Sequence, residues 1–155
     1  MSRYEEMFGL VGQLGAQLRE GHAAGRAALG AGRSAPPASA TISALGGSAI
    51  GGSLAEALWR DSLRTPTAVN RAAALPGWVG PGHLVVAVSY SGATAETLSA
   101  ARAAVASGAD VIAVTAGNPL GDAVSAAGGQ VVRVPDGLPP RAALGSLFGA
   151  LAAAL

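Results

Sequence analysis

The stretch HLVVAVSY (83–90) is apolar at nearly every position, and DVIAVTA (110–116) repeats the pattern. A strand solvated on one face alternates apolar and polar side chains, whereas a strand without alternation must be covered on both faces. Each run gives way within a few residues to a segment with helical spacing. Covered strands that alternate with helices describe a parallel sheet between two helical layers. The predicted fold is therefore α/β. It is a three-layer αβα sandwich with a mainly parallel, doubly wound, flavodoxin-like sheet of five strands.

The strands are predicted at TISAL (41–45), TPTAVN (65–70), 83–90, 110–116 and QVVRVP (130–135). Ser2 and Glu5 have the spacing of a capping box, and Tyr4, Met7, Phe8, Val11, Leu14 and Leu18 follow at helical intervals. A helix over about 2–19 is expected. Residues 21–40 are rich in Ala, Gly and Pro and end in SAPPAS; they read as a connector with a short helix near His22 to Leu29. Further helices are expected after GGSAIGG, from Ala93 to Ser107, over 119–127, and from Pro140 to the last residue. The length of 155 residues fits one domain. Residues 1–40 form its helical lead-in and 41–155 the domain itself, which ends in its last helix.

Composition removes several classes of function. All ten basic residues are arginine, so there is no Walker-loop lysine, Schiff-base lysine or lysine general base. The chain has no cysteine, which excludes disulfides and thiolate chemistry and fits a cytoplasmic protein. A net charge of +1 advertises neither nucleic acid nor a membrane surface as partner. The most apolar stretch, AALGSLFGALAAAL, has 14 residues, short of the roughly 20 that span a bilayer. His22 and His83 are isolated, and no spacing of His, Asp and Glu resembles a metal site. GAGRSA (30–35) matches a dinucleotide fingerprint in letters, but no strand precedes it.

In a doubly wound sheet ligands bind beyond the carboxyl ends of the strands. Three loops there carry chemistry. In SYSGAT (89–94), Ser89, Ser91 and Thr94 offer hydroxyls and Gly92 a tight backbone, just where a helix begins. Free N–H groups and the positive end of a helix favour an anion, so this is an anion cradle that needs no lysine. The alternative is that the hydroxyls only cap the helix. In GGSAIGG (46–52), Gly47 and Ser48 repeat the arrangement, with a plain strand-to-helix turn as the alternative. In PDGLPPRAAL, Arg141 falls at the start of the last helix, where a cation opposes the helix dipole. That conflict suggests a use for the guanidinium on an anionic substrate or intermediate; the alternatives are a solvated arginine or a partner for Asp136. Glu96 and Thr97 are expected to serve the helix that follows the hydroxyl loop.

SYSGATAET resembles the signature of the sugar isomerase (SIS) domain. LGGSAIGG, AVSYSGATAETLSA and PRAALG, in this order, are similar to a narrower group, the bifunctional phosphoglucose/phosphomannose isomerases. The resemblance implies that Gly47, Ser48, Ser89, Ser91 and Thr94 hold the phosphate of a sugar phosphate. It further implies that Arg141 stabilises a cis-enediolate while fructose 6-phosphate is interconverted with glucose 6-phosphate and mannose 6-phosphate. No metal or organic cofactor is implied. Members of that group carry two such domains, and the glutamate that moves the proton and the histidine that helps open the ring belong to the second. This chain accommodates one domain, so the resemblance supplies no catalytic base here. It is then half of an isomerase or, alternatively, a sugar-phosphate-sensing module. An apolar stripe of Leu144, Leu147, Phe148, Leu151 and Leu155 suggests association as a homodimer or with a second SIS domain.

Overall fold

The computed structural model describes residues 3–30 and 35–155. Among them, five strands form one sheet: β1 (Ser39–Ala44), β2 (Thr67–Asn70), β3 (His83–Val88), β4 (Asp110–Thr115) and β5 (Gln130–Arg133). The helices are α1 (Arg3–Gly12), α2 (Leu14–Leu29), α3 (Gly46–Trp59), α4 (Ala95–Ala106), α5 (Asn118–Ala126) and α6 (Leu144–Ala154). A 3-10 turn, Pro140–Ala142, precedes α6. The strand order is β2-β1-β3-β4-β5 and every pairing is parallel, the expected doubly wound arrangement.

The two faces of the sheet follow from residue parity, because successive strand side chains point to opposite sides. Ile42, Leu84, Val86, Ile112, Val114 and Val132 form one apolar cluster with side chains of α3 and α6. Val85, Ala87, Val111 and Ala113 form the other with residues of α4 and α5. Both clusters are rich in alanine and valine, so helices can approach the sheet closely without large side chains.

The N-terminal segment departs from expectation. The first helix breaks at Gln13 and resumes as α2, which continues without a gap to Leu29 and takes in the short helix expected near His22 to Leu29. The cause is α6. A Cβ on Gly21 would collide with the backbone of Ser146, and one on Gly25 would lie 2.5 Å from Ala153 Cβ. A Cβ on Gly145 would lie 2.7 Å from Gln17 Cβ, and one on Gly149 would collide with the Leu18 carbonyl. Glycine lowers helix propensity, yet here it lets two helical backbones pack in contact. The stripe on α6 accordingly faces inward: Leu147 and Leu151 are buried, and Leu144, Phe148 and Leu155 half-buried. Exposed apolar side chains lie elsewhere, among them Tyr4, Phe8 and Val11 of α1, Ile50, Leu54 and Leu58 of α3, and Trp78. The proposed cap Ser2 and most of GAGRSA fall outside the described residues.

Candidate functional site

In a 2-1-3-4-5 sheet the chain leaves β1 toward one edge and β3 toward the other. The loops after β1 and β3 therefore part company, and a crevice opens between them. Register places them side by side, since Ala44 pairs with Val88 at the carboxyl ends of the two strands. The next residues are Leu45-Gly46-Gly47-Ser48 and Ser89-Tyr90-Ser91-Gly92.

A cleft of about 380 Å³ lies there. Its lining includes Gly47, Ser48, Ser89, Ser91, Thr94 and Arg141, all six sequence-derived candidates, with Leu45, Tyr90, Pro139 and Pro140. Gly47 and Ser48 belong to the first turn of α3. Gly46, just ahead of them, has φ +55°, which suits the absence of a side chain. Ser89 is buried, and its Oγ lies 2.9 Å from Thr94 Oγ1. Ser91 is exposed, and its Oγ accepts from the Ala93 N–H at 3.2 Å.

Capping does not account for these hydroxyls. Thr94 is the N-cap residue of α4, but its side chain makes no capping hydrogen bond. The N-cap of α3 is Leu45, which has no side chain to cap with. Two helix starts thus present first-turn N–H groups to one cleft, and no cap side chain accepts from them.

Arg141 sits not in α6, as expected, but in the separate 3-10 turn before it. Pro139 and Pro140 cannot donate backbone N–H groups to a longer helix, so the chain makes a single tight turn here. The dipole conflict anticipated for Arg141 is correspondingly smaller, since α6 begins only at Leu144. Among the described residues the Arg141 side chain has no hydrogen-bond or ion-pair partner, and Asp136 does not pair with it. Arg141 also borders a smaller hollow of about 220 Å³ beside Glu6, Met7 and Leu10 of α1. Glu96 and Thr97 do not line the cleft. Thr97 is buried within α4 packing, with no hydrogen-bond partner for its hydroxyl among the described residues.

Behind the hydroxyl loop lies a second layer that residue types alone did not reveal. Gly92 has φ +68°, and a Cβ there would lie 2.7 Å from the Gly117 carbonyl oxygen. That carbonyl accepts from Arg133 Nη1 at 2.8 Å and from Thr115 Oγ1 at 3.1 Å. Arg133 also reaches Asn118 at 3.3 Å and Asp122 at 3.4 Å. Tyr90, whose carbonyl accepts from both Ala116 and Gly117 at 3.1 Å, joins the two loops. The isolated histidine His83 lies at the opposite end of β3, roughly 20 Å away at about 3.3 Å per residue. It is buried between Ser39 and Thr41 hydroxyls, and desolvation lowers its pKa below the ordinary 6.5.

The electrostatics are simple. Among the described residues Arg141 is the one charged side chain lining the cleft, and two positive helix ends lie beside it. No carboxylate or imidazole of the described residues is in the lining. The arrangement can hold an anion with neutral donors and place one cation near whatever that anion carries. Among the described residues no cluster of His, Asp and Glu could hold a metal ion, and no helix is long and apolar enough to cross a membrane.

Comparison with known proteins assigns the family. The SIS domain family model matches residues 44–126. A bifunctional phosphoglucose/phosphomannose isomerase of Caldicellulosiruptor bescii is 49% identical over 107 residues, covering 69% of this chain and 32% of that protein. One from Thermoplasma acidophilum is 39% identical over 106 residues, covering 68% of this chain and 32% of that protein. The matched stretch thus spans about a third of the length of these relatives. Among solved structures, the C-terminal domain of glucosamine-fructose-6-phosphate aminotransferase from Francisella tularensis superposes with a TM-score of 0.70 at 19% identity. It covers 95% of this chain and 46% of that one, a likeness of fold.

Proposed function

This chain belongs to the SIS domain family, and on that premise we propose that it is the phosphosugar-binding domain of an aldose–ketose isomerase. The observation that carries the reading is the convergence of Gly47, Ser48, Ser89, Ser91, Thr94 and Arg141 on one cleft. The similarity to bifunctional phosphoglucose/phosphomannose isomerases supports the choice of substrate class. The domain comprises residues 41–155, with 1–40 as its lead-in, and it works in the cytoplasm.

The phosphate of fructose 6-phosphate sits over the starts of α3 and α4. Ser48, Ser91 and the Ser89–Thr94 pair, which spends one of its two hydroxyl hydrogens internally, donate to it, and the Gly47 backbone makes a close contact. Neutral donors at helix ends bind a dianion without forming a rigid ion pair. Arg141 faces the other end of the sugar. When a base removes the proton from C1 or C2, negative charge builds on the adjacent oxygens as the cis-enediolate forms. A guanidinium aimed at that charge binds it more strongly than the neutral sugar, which lowers the barrier. Shifting the hydroxyl proton between O1 and O2 and returning the abstracted proton to the other carbon completes the interconversion with glucose 6-phosphate or mannose 6-phosphate.

Arg141 cannot be the base, because guanidinium stays protonated. Proton transfer between adjacent carbons needs a positioned base, and the cleft lining offers none. The base therefore comes from a second SIS domain, or from a second copy of this chain. The exposed apolar side chains of α1 and α3 support association of that kind. The missing base also favours a second reading, a module that binds the sugar phosphate without turning it over.

The deciding experiment measures interconversion of fructose 6-phosphate and glucose 6-phosphate. It is run with this chain alone and mixed with the C-terminal half of a bifunctional phosphoglucose/phosphomannose isomerase. Turnover only in the mixture is expected. Tight binding by calorimetry with no turnover in either sample selects the sensing module, and no binding of any hexose 6-phosphate refutes both readings.

A further inference from the structure

The side chain of Tyr90 is spent on a single bond. Its phenolic oxygen accepts the Leu138 N–H at 2.9 Å, joining residues 48 apart in sequence. The ring itself is buried, 8% exposed, in the apolar cluster that Leu138 also packs against. Phenylalanine would fill that space equally well, so packing alone does not require the hydroxyl.

What the hydroxyl holds is the arm that carries Arg141. Gly137, with φ +82°, turns the chain just before Leu138. After Leu138 come Pro139 and Pro140, whose rings fix φ and remove two torsions from the path, and then Arg141. Pinning Leu138 therefore fixes where the Arg141 backbone stands. Arg141 needs such a pin, because among the described residues no hydrogen bond or ion pair orients its side chain.

The other end of the tie is the anion cradle. Tyr90 lies between Ser89 and Ser91, and its carbonyl is anchored by the Ala116 and Gly117 N–H groups. One residue thus joins the loop offering hydroxyls to the loop offering the cation. The distance between these loops is the quantity an isomerase of this kind must set, because phosphate and reacting carbons occupy opposite ends of one small molecule.

We propose that Tyr90 is a positioning residue, whose phenolic oxygen holds the Arg141 arm at a fixed distance from the phosphate cradle. The proposal rests on the reading of the cleft given above. Tyr90 also borders the cleft, but its phenolic oxygen acts on the reaction only through Arg141. Its loss should weaken recognition of charge at the reacting end while leaving recognition of phosphate intact.

The test uses two ligands that differ only at that end. Arabinonate 5-phosphate carries a carboxylate, a planar anion like the enediolate; arabinitol 5-phosphate carries a neutral alcohol there. Calorimetry on this chain gives both dissociation constants, and their ratio reports the contribution of Arg141. The unaltered chain should favour the carboxylate by about tenfold or more, as a charge-assisted contact would. Tyr90→Phe should reduce that ratio by about threefold or more, with the affinity for arabinitol 5-phosphate changed less than about twofold. Arg141→Ala should abolish the preference, and Tyr90→Phe added to Arg141→Ala should change nothing further.

A Tyr90→Phe ratio equal to that of the unaltered chain overturns the proposal. So does an equal loss of affinity for both ligands, which would mark Tyr90 as merely structural. Should Tyr90→Phe fail to fold, Leu138→Pro removes the same bond from the donor side with the ring left in place, and must narrow the ratio alike. An unaltered chain that binds neither ligand refutes the underlying reading of the cleft, and this proposal with it. That outcome is distinct from binding with no effect of Tyr90→Phe.

Discussion

The Gly117 Cα faces the carbonyl group of Ser91 so closely that a methyl group at Gly117 would overlap the Ser91 oxygen. Both partners are backbone, so neither can rotate away. Gly117 is therefore predicted to tolerate no side chain. Gly117→Ala should cost about 2–3 kcal/mol of stability, the upper range for overpacking. It should also displace the hydroxyl loop, so phosphosugar affinity falls together with stability. Urea unfolding and calorimetry on one preparation check this; a fully stable Gly117→Ala that still binds would contradict the description of the second layer.

The three serines of the cleft should separate by what each already holds. Ser48 is half-buried in a first helical turn, and Ser91 is exposed. Replacing either by alanine should leave stability within about 0.5 kcal/mol. Each removes a hydrogen bond to a charged group, however, so fructose 6-phosphate should bind about tenfold more weakly. Ser89 is different because it is buried, with its hydroxyl paired with Thr94 at 2.9 Å, whereas the contact of Ser91 with the Ala93 N–H is exposed to solvent. Ser89→Ala should weaken binding and also cost about 1 kcal/mol of stability. Unchanged affinity in both Ser48→Ala and Ser91→Ala would remove the phosphate from this cleft.

How much of this could be read from the chain depended on how local the determinant was. Ser89, Ser91 and Thr94 lie at one strand-to-helix junction, and residue type with spacing suffices to mark such a junction as a candidate anion site. Convergence with Ser48 was also legible, because unalternating strands imply a parallel sheet and a crevice at its switch point. The course of α2 was not. Glycine lowers helix propensity, which hides an unbroken helix through Gly21 and Gly25, and only the approach of α6 makes them assets there. The tie from Tyr90 to Leu138 was hidden for the same reason: a tyrosine after a strand looks like core until its hydroxyl partner, 48 residues on, is known. Arg133 likewise reads as a solvated strand end, while it holds the Gly117 carbonyl behind the cleft.

His83 should make stability depend on pH. It is 2% exposed, with Ser39 Oγ at Nδ1 and Thr41 Oγ1 at Nε2, and burial lowers its pKa from the ordinary 6.5. Between the lowered folded value and 6.5 the unfolded chain binds a proton that the native chain does not. Stability therefore rises with pH across that window. The contribution is complete above about pH 6.5 and is lost as pH falls through the folded value. The urea midpoint should fall between about pH 7.5 and pH 5.5, and His83→Gln should flatten that slope. An equal slope in His83→Gln would assign the effect to other groups.

The same substitution, glycine to alanine, is predicted to act in opposite directions on two helices. Gly9 lies in α1, exposed, and a Cβ there meets nothing within 4 Å. Alanine lowers the entropy lost on forming a helix, so Gly9→Ala should stabilise the chain by about 0.5–1 kcal/mol. Gly149 lies in α6 against α2, where a Cβ would overlap the Leu18 carbonyl and come within 2.8 Å of the His22 nitrogen. Helix propensity favours alanine there by the same amount, but two backbones would have to separate. Gly149→Ala should therefore destabilise by about 2 kcal/mol or more, the strain of overpacking outweighing the propensity gain. Urea unfolding of both variants decides the matter. If Gly149→Ala also stabilised, the contact between α2 and α6 would not be backbone on backbone, and the continuation of α2 through Gly21 and Gly25 would need another cause.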